Sequence, residues 1–235
     1  MKMLDEYEIK ARYVPAVITA LPIIIFTSFV KKETWLDLFA NSKWVLPVEN
    51  ISLSVISFFF LMWMQRAIGK HVFERYVFKS GVDFPTTTML LFQDKFLSGD
   101  AKKKIRKKIK ADFDITLLNE QQERADSDEA KKTIRDAVAR VCPLVGKGIH
   151  TFQYNCFYGM IRNLIAGSIW ALLVSIINAV IFGKENLIGM GVCIVMALFF
   201  LAVLCLHKPI LRHHAKEYAK CLFAEYQSIN KGDKK

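Results

Sequence analysis

The stretch that decides the fold is LIGMGVCIVMALFFLAVLCL, residues 187–206, which contains no charged side chain. A helix of about 20 predominantly apolar residues spans the hydrocarbon core of a bilayer, which is roughly 30 Å thick. A core helix of a soluble protein would instead carry a polar face with a period of about 3.6 residues, and this stretch has almost none. The stretch therefore predicts a membrane-spanning helix.

Uncharged segments of similar length recur along the 235-residue chain. Together with the segment around the quoted stretch, they are residues 13–30, 50–65, 163–183 and 186–207. The segment at 50–65 is the shortest, and Glu49 alone separates it from the uncharged residues 44–48. These lengths predict an all-α fold with four transmembrane helices.

The composition is both apolar and basic. Hydrophobic residues make up 53% of the chain, and 33 Lys and Arg against 22 Asp and Glu give a formal net charge of +11. This apolar content argues against a disordered chain and against an ordinary soluble enzyme. All the cations except Lys31, Lys32, Lys43 and Lys184, 29 of the 33, fall in the N-terminal segment, the middle segment and the C-terminal tail. The positive-inside rule therefore places both termini in the cytoplasm.

Four parts of the chain follow from this topology. Residues 1–66 form an N-terminal transmembrane hairpin, and residues 67–161 form a basic, helical cytoplasmic domain. Residues 162–207 form a C-terminal transmembrane hairpin, and residues 208–235 a basic cytoplasmic tail. The predicted location is the inner membrane of a bacterium, crossed several times.

The cytoplasmic insertion is predicted to be mostly helical. We expect the second span to continue as a helix through residues 67–79, and a helix over 86–97 to end at the Ser98-Gly99 pair. A later helix should begin at the acidic residues 126–129 and end at Cys142, before Pro143. Its buried stripe is predicted to be Ile134, Val138 and Val141.

The densest charge in the chain lies between these helices, at residues 102–110. Seven of these nine residues are cations: Lys102, Lys103, Lys104, Arg106, Lys107, Lys108 and Lys110. Ile105, Ile109 and Phe113 share one helical face, which is expected to leave the cations on the other faces. Cations packed this closely repel each other, which favours an anionic partner. Three readings stay open: a solvated face, anionic lipid, or the phosphates of a nucleotide or single-stranded nucleic acid.

The third span carries small residues at every fourth position from Gly167 to Gly183, a pattern that lets helices pack closely. The row packs either inside one subunit or at an oligomer interface. Asn178 must bond a neighbouring helix or line a hydrated path. Repeated around an oligomer, such groups would supply polar rings. The candidate pore or interface residues are Gly167, Ser168, Ala171, Ser175, Asn178 and Ala179.

Motifs of known enzymes are not found, so we expect no catalytic residues and no cofactor. The five cysteines form no C-x-x-C pair, which gives little support to a disulfide framework or a zinc site. His213 and His214 are adjacent and point to different faces of a helix, which favours solvated side chains over metal ligands.

Several stretches carry a resemblance to a known family. They are FPTTTMLLF at 84–92, the Asp94-Lys95 pair, KIRKKIK at 104–110, Asp136-Ala-Val, and above all YGMIRNLIAGS at 158–168. The chain resembles, over about residues 82–168, the Hailong-type membrane effectors of bacterial antiphage operons, which also encode a nucleotidyltransferase-like enzyme.

The resemblance implies a homotetrameric, ion-channel-like effector that depolarises the membrane during infection. It further implies that a short single-stranded DNA oligomer keeps the channel closed and that the operon's nucleotidyltransferase supplies this signal. The oligomer would be expected on the basic run, with Lys103, Lys104, Arg106, Lys107 and Lys108 first.

Overall fold

The computed structural model describes residues 6–29, 46–145, 148–183 and 186–229, except the side chains of 27–29, 46–54 and 80. Within these residues the chain is helical and has no β-strand, which confirms the all-α prediction. The longer helices are α1 (Val14–Phe29), α2 (Leu46–Ile68), α3 (Gly99–Phe113), α4 (Ser127–Val145), α5 (Ile149–Phe182), α6 (Leu187–Cys205) and α7 (His207–Ser228). Shorter elements are the π-helical Ile9–Tyr13 and Gly69–Glu74, the helices Arg75–Val77, Pro85–Thr88 and Glu120–Ala125, and the 3-10 turn Lys79–Gly81.

Three helices are long and apolar enough to cross a membrane: Glu6–Phe26, which includes most of α1, and the whole of α5 and α6. They correspond to the first, third and fourth predicted spans. The second, at residues 50–65, falls on α2, but the side chains of 50–54 lie outside the described residues, as does the preceding link at 30–45. The described residues therefore contain three candidate membrane-spanning helices, which is consistent with a membrane protein.

The chain forms two compact units. The first, here called the membrane unit, comprises Met1–Phe73 and Gly159–Lys208. The second, the basic unit, comprises Glu74–Tyr158 and Pro209–Lys235. Helix α5 contributes residues 149–158 to the basic unit and the rest to the membrane unit.

The core of the basic unit is built from α3, α4 and α7. The predicted stripe of α4 is confirmed, since Ile134, Val138 and Val141 are all buried. Helix α7 places its own apolar side chains, among them Phe223 and Tyr226, in the same core. The sequence analysis predicted residues 208–235 to be a separate cytoplasmic tail. In the structure, the helical part of this tail packs into the basic unit.

The helix expected over residues 86–97 is much shorter, because it ends at Thr88. The backbone carbonyls that a longer helix would bond internally are bound by side chains of α3 instead. Lys102 Nζ donates to the carbonyl of Leu91 at 2.7 Å, and Arg106 Nη1 donates to that of Leu90 at 2.6 Å. A backbone group needs one good partner, so these side chains stabilise turns where the sequence pattern indicates a helix.

Candidate functional site

Helix α3, which carries the basic run, has well-defined ends. The Ser98 hydroxyl accepts from the Ala101 N–H at 3.2 Å and so caps the first turn. Asp114 ends the helix in the left-handed conformation, with φ 56°. Ile105 and Ile109 anchor the helix because they are buried in the core of the basic unit. These contacts fix which cations face inward and which face solvent.

Lys102 faces inward, with only 3% of its surface exposed. Its ammonium group donates to the carbonyls of Leu91 and Asp94 and lies 3.5 Å from that of Phe92. A buried ammonium group is stable only when its donors are satisfied, and these carbonyls satisfy them. Lys102 therefore holds the turn before α3 and is not available to a ligand.

Arg106 also serves the fold. Its guanidinium forms a 2.8 Å ion pair with Glu123, and the two side chains are only 10% and 7% exposed. It also donates to the carbonyls of Leu90 and Leu118, and it lies 4.2 Å from the centroid of the Phe92 ring. The second oxygen of Glu123 accepts from the Phe92 N–H at 2.9 Å. The planar guanidinium joins three parts of the basic unit.

Lys108 binds the end of α7. Its ammonium group donates to the carbonyls of Tyr226, at 2.5 Å, and Ile229, where a helix leaves its last carbonyls unpaired. A cation at this position also stabilises the helix dipole. The Tyr226 hydroxyl donates to Asp112 at 3.0 Å, and burial, followed by this contact, raises the pKa of Tyr226.

The other cations of the run form one exposed face. At 100° per residue they fall within a sector of about 120° around α3. In the described part of the chain, none of them has an ion-pair or hydrogen-bond partner. This surface is here called the lysine face, and it consists of Lys103, Lys104, Lys107 and Lys110.

The sequence analysis predicted one binding site made of all seven cations of the run. The structure separates them into three cations that the fold uses and four that face solvent. Lys102, Arg106 and Lys108 bind backbone carbonyls, and Arg106 also pairs with Glu123. Cations in a dense basic run can therefore have a structural role that the sequence pattern does not indicate. The expectation that the apolar face of α3 excludes the cations is wrong for Lys102, which is buried beside Ile105. Of the seven cations of the run, only the four of the lysine face can meet an anionic partner without breaking contacts of the fold.

The membrane unit has a row of amide contacts, of which the sequence indicated only that Asn178 would bond a neighbouring helix or line a hydrated path. Asn163 Nδ2 donates to the Ala11 carbonyl at 2.6 Å, and Asn178 Nδ2 donates to the Pro22 carbonyl at 2.8 Å. Between them, Gln65 Nε2 donates to the Thr19 hydroxyl. The donors Gln65, Asn163 and Asn178, each 1–2% exposed, are here called the polar seam. It joins α2 and α5 to the first helix.

Proline explains one of these contacts. Pro15 has no N–H, so the carbonyl of Ala11, four residues earlier, loses its usual helical donor. Asn163 supplies the missing donor. Neighbouring polar side chains commonly satisfy backbone groups freed by proline within a membrane, where water is absent. The signal in the sequence was a proline in one span and an amide in another, but their pairing is a property of the tertiary structure.

The six candidate pore or interface residues lie on the side of α5 that packs within the chain. Ser168 and Ser175 bond the carbonyls of Leu164 and Ala171 in their own helix, at 2.8 and 2.7 Å. A methyl group added at Gly167 would lie 2.7 Å from the Thr19 hydroxyl. Ala171 and Asn178 are buried, and Ala179 lines an apolar groove between α5 and α6. These contacts lie within α5 or between α5 and other helices of the same chain.

Several side-chain polar atoms in the described part of the membrane unit are buried without a hydrogen-bond partner, and three of them lie on or beside the polar seam. These three are Gln65 Oε1, Asn163 Oδ1 and the indole Trp170 Nε1. Unpaired polar groups in a membrane interior are costly, and an amide oxygen accepts readily from water. The polar seam thus has capacity to bind water beyond the contacts it makes.

Among the described residues, no group of three or more His, Cys, Asp and Glu side chains could hold a metal ion. The rings of His213 and His214 lie 5.4 Å apart, and burial, then the charge of His213, lowers the pKa of His214. Comparison of the chain with protein-family models, with curated proteins and with solved structures finds no match.

Proposed function

We propose that the chain is the ion-channel-like membrane effector of an antiphage system, held closed by a nucleotide or short single-stranded DNA bound to the lysine face. Release of this signal opens the channel and depolarises the inner membrane. The subunits form a homo-oligomer, with a tetramer expected from the family resemblance. The signal is supplied by a nucleotidyltransferase encoded in the same operon.

The observation that carries the proposal is the lysine face. Four ammonium groups lie within one sector of α3, and the fold uses none of them. Closely spaced cations raise the local concentration of polyanions, and phosphates bind with release of counterions. The first and last of these lysines are seven residues apart, about 10 Å along the helix axis. This length suits a contact with two or three consecutive phosphates rather than one.

The polar seam supports the channel part of the proposal. Its donors hold α1 against α5 and α2, and its unpaired oxygens would bind water if α1 moved away. In the arrangement described here the seam is closed, so conduction requires Asn178 to leave the Pro22 carbonyl. A signal keeps such a gate closed only if it binds the closed form more tightly than the open form.

The proposed topology has four spans, α1, α2, α5 and α6, with both termini in the cytoplasm. The cations that follow α2 and α6 support this orientation. Single-cysteine variants labelled from outside intact cells test it. A cysteine at Ser228 should stay unlabelled by an impermeant maleimide until the cells are opened, and labelling in intact cells would contradict the orientation.

A binding measurement tests the signal site. Anisotropy of a labelled oligodeoxynucleotide, titrated with the purified full chain at several salt concentrations, gives the number of phosphates contacted. Each phosphate on a single strand contributes about −0.7 to the slope of log K against log salt. Changing Lys103 and Lys107 to Gln should weaken binding and make the slope shallower by about 1.4.

The matched control is the Arg212→Gln and Lys216→Gln pair, which has the same spacing on exposed positions of α7. This variant should bind like the wild type. An equal loss of affinity in both variants would mean that binding depends on the overall charge and not on the lysine face. An unchanged salt slope in the Lys103 and Lys107 variant would show that the lysine face does not bind the phosphates.

Ion flux tests the channel. Liposomes containing the protein should release a trapped ion when the oligonucleotide is absent and retain it when the oligonucleotide is bound. Asn178→Ala should shift this response toward leak because it removes the donor to the Pro22 carbonyl, whereas Leu173→Ala, on the exposed side of α5, should not. Absence of flux in every condition, with a monomeric mass, would contradict the proposal.

The alternative function is a membrane-anchored binding or scaffold protein whose lysine face contacts anionic lipid. Juxtamembrane cations gain about 1 kcal/mol each at an anionic surface. If the full chain binds the oligonucleotide and anionic vesicles displace it, both functions stay open. Binding to vesicles alone, with no affinity for DNA, would favour the scaffold.

A further inference from the structure

One side of α2, continued into the π-helical Gly69–Glu74, carries a row of exposed side chains that changes from apolar to cationic. The spacing of three and four residues places its members on one helical face. Trp63 is 62% exposed, and the apolar members before it are similarly exposed. This surface is here called the α2 stripe, and its members are Ile56, Phe59, Trp63, Arg66 and Lys70.

The apolar part of the stripe fits within one leaflet, whose hydrocarbon layer is about 15 Å thick. Seven residues separate Ile56 from Trp63, which is about 10 Å of helix. Tryptophan prefers the boundary between hydrocarbon and headgroups. With Trp63 at this boundary, Arg66 lies about 4.5 Å further along the axis, within the headgroup layer, and Lys70 lies about one turn beyond.

The cations of the stripe differ from those of the first helix. There, Lys10 pairs with Glu6 and Arg12 pairs with Glu8, each at 2.5 Å, so neighbouring acids neutralise the positive charge. Within the described residues, Arg66 and Lys70 form no ion pair. Unpaired cations beside a bilayer attract anionic headgroups.

We propose that the α2 stripe binds an anionic phospholipid, with its phosphate between Arg66 and Lys70 and an acyl chain along the apolar part. Arginine binds phosphate oxygens in pairs, and its aliphatic stem can lie along the apolar surface. The stripe is separate from the lysine face, which lies on α3. The inference rests on α2 crossing the membrane, as proposed above.

A second copy of the chain fits this surface less well than a lipid. Pairing through the same face would bring Arg66 and Lys70 against the identical cations of the other copy. Like charges at close range are repulsive, and no acid of the stripe relieves them. A zwitterionic lipid carries its own cation next to the phosphate, so an anionic lipid gains more from the two side chains.

Lipid titration of the full chain in neutral detergent tests the site. The affinity for phosphatidylglycerol and for phosphatidylcholine is measured by native mass spectrometry of the lipid adducts. Arg66→Gln with Lys70→Gln should reduce the affinity for phosphatidylglycerol by about 25-fold, about fivefold per cation. The charge-conserving variant Arg66→Lys with Lys70→Arg should retain the affinity for phosphatidylglycerol. This result would attribute the lower affinity of the Gln variant to the missing charges and not to misfolding.

The control is Lys103→Gln with Lys107→Gln on the lysine face, which should leave the affinity for phosphatidylglycerol unchanged. Loss in this variant instead would place the lipid on α3 and overturn the inference. Equal affinities for the two lipids would overturn it as well, as would equally tight binding of soluble glycerol phosphate. A smaller oligomer after Phe59→Ala, with unchanged lipid binding, would assign the stripe to a second copy.

Brominated phosphatidylcholine separates failure of this site from failure of the four-span topology. Bromine on the acyl chains quenches tryptophan within the bilayer, and the contribution of Trp63 is the difference between wild type and Trp63→Phe. Quenching of Trp63 without preference for phosphatidylglycerol would reject the headgroup site alone. No quenching of Trp63 would reject the insertion of α2 and the lipid site together.

Discussion

At the scale of single residues, neighbours in the basic run have opposite roles. Lys102 and Lys103 are identical and adjacent, but the first is 3% exposed and the second faces solvent. The difference arises because α3 turns by 100° per residue, so adjacent side chains meet different surroundings. Changing a lysine of this run therefore tests either folding or binding, depending on its position.

Lys102→Met should destabilise the protein. It leaves the carbonyls of Leu91 and Asp94 without their donor, at a cost of about 1–3 kcal/mol for buried unpaired groups. Lys103→Met, at an exposed position, should change the stability by less than about 0.5 kcal/mol. Chemical denaturation of the full chain in detergent measures both. Equal stabilities of the two variants would contradict the division of the run.

Asp83 should make stability depend on pH. Its carboxylate accepts from Lys131 at 2.7 Å and lies 3.3 Å from Lys79 Nζ. The hydrogen bond from Lys131, opposed by burial and helped by Lys79, lowers the pKa of Asp83 below 3.8. A carboxylate with a lowered pKa contributes stability above the unfolded-state pKa and loses this contribution as the pH falls through the folded-state value.

Asp83→Asn should therefore lower the melting temperature at pH 7, and the difference from wild type should shrink below about pH 4. Melting curves between pH 3 and pH 7 measure this difference. Asp136→Asn is the control, because that carboxylate is 75% exposed and lies 3.9 Å from Arg135. A difference for Asp83→Asn that stays constant with pH would contradict the ion-pair explanation.

At the scale of helices, α5 begins at a carboxylate from another helix. Glu225 of α7 accepts from the N–H groups of His150 and Thr151, at 3.0 and 3.3 Å. The first N–H groups of a helix lack internal partners and carry partial positive charge, so a carboxylate stabilises them. A side chain at Gly148 would collide with this carboxylate, because an added methyl would lie 2.6 Å from Glu225 Cδ.

Glu225→Ala should lower the free energy of unfolding by about 1 kcal/mol, the usual effect of losing a helix cap. Glu120→Ala is the control, since Glu120 is 56% exposed and, among the described residues, pairs with Arg124 on its own short helix. Thermal unfolding of the two variants, followed by circular dichroism, measures the difference. Equal melting temperatures would show that the cap contributes nothing to stability.

Glycines of the membrane helices allow a second test at this scale. Gly167→Ala should destabilise the membrane unit, because the new methyl would lie 2.7 Å from the Thr19 hydroxyl. Gly191→Ala should be tolerated or stabilising by up to about 1 kcal/mol, because in the described part of the chain no atom beyond the local helix backbone lies within 4 Å of the added methyl, and alanine favours helix. Unfolding in detergent distinguishes them. The same destabilisation in both would contradict close packing at Gly167.

At the scale of the whole molecule, the charge and the apolar surface lie in different parts of the chain. Exposed apolar side chains cover α5 and α6 in the membrane unit, and lipid or other subunits must cover them. If the proposed tetramer forms, the detergent-corrected mass should be about 108 kDa, four times the 27.0 kDa of one chain. A mass near 27 kDa from light scattering would exclude an intersubunit pore.

Much of this architecture follows from the sequence alone. Length and absence of charge determine membrane-spanning helices, because the bilayer requires about 20 apolar residues whatever the rest of the chain does. The stripe of Ile134, Val138 and Val141 follows from helical periodicity. The density of cations at 102–110 favours an anionic partner, but the sequence does not determine which of these cations the fold itself uses.

Other features depend on contacts between residues distant in sequence, and only the tertiary structure decided them. The helix expected over 86–97 stops at Thr88 because Lys102 and Arg106 bind its next carbonyls. Asn178, a candidate pore residue in the sequence, bonds the Pro22 carbonyl 156 residues away. Periodicity determines which faces of a helix are apolar, whereas the partner of each polar group depends on which helices meet.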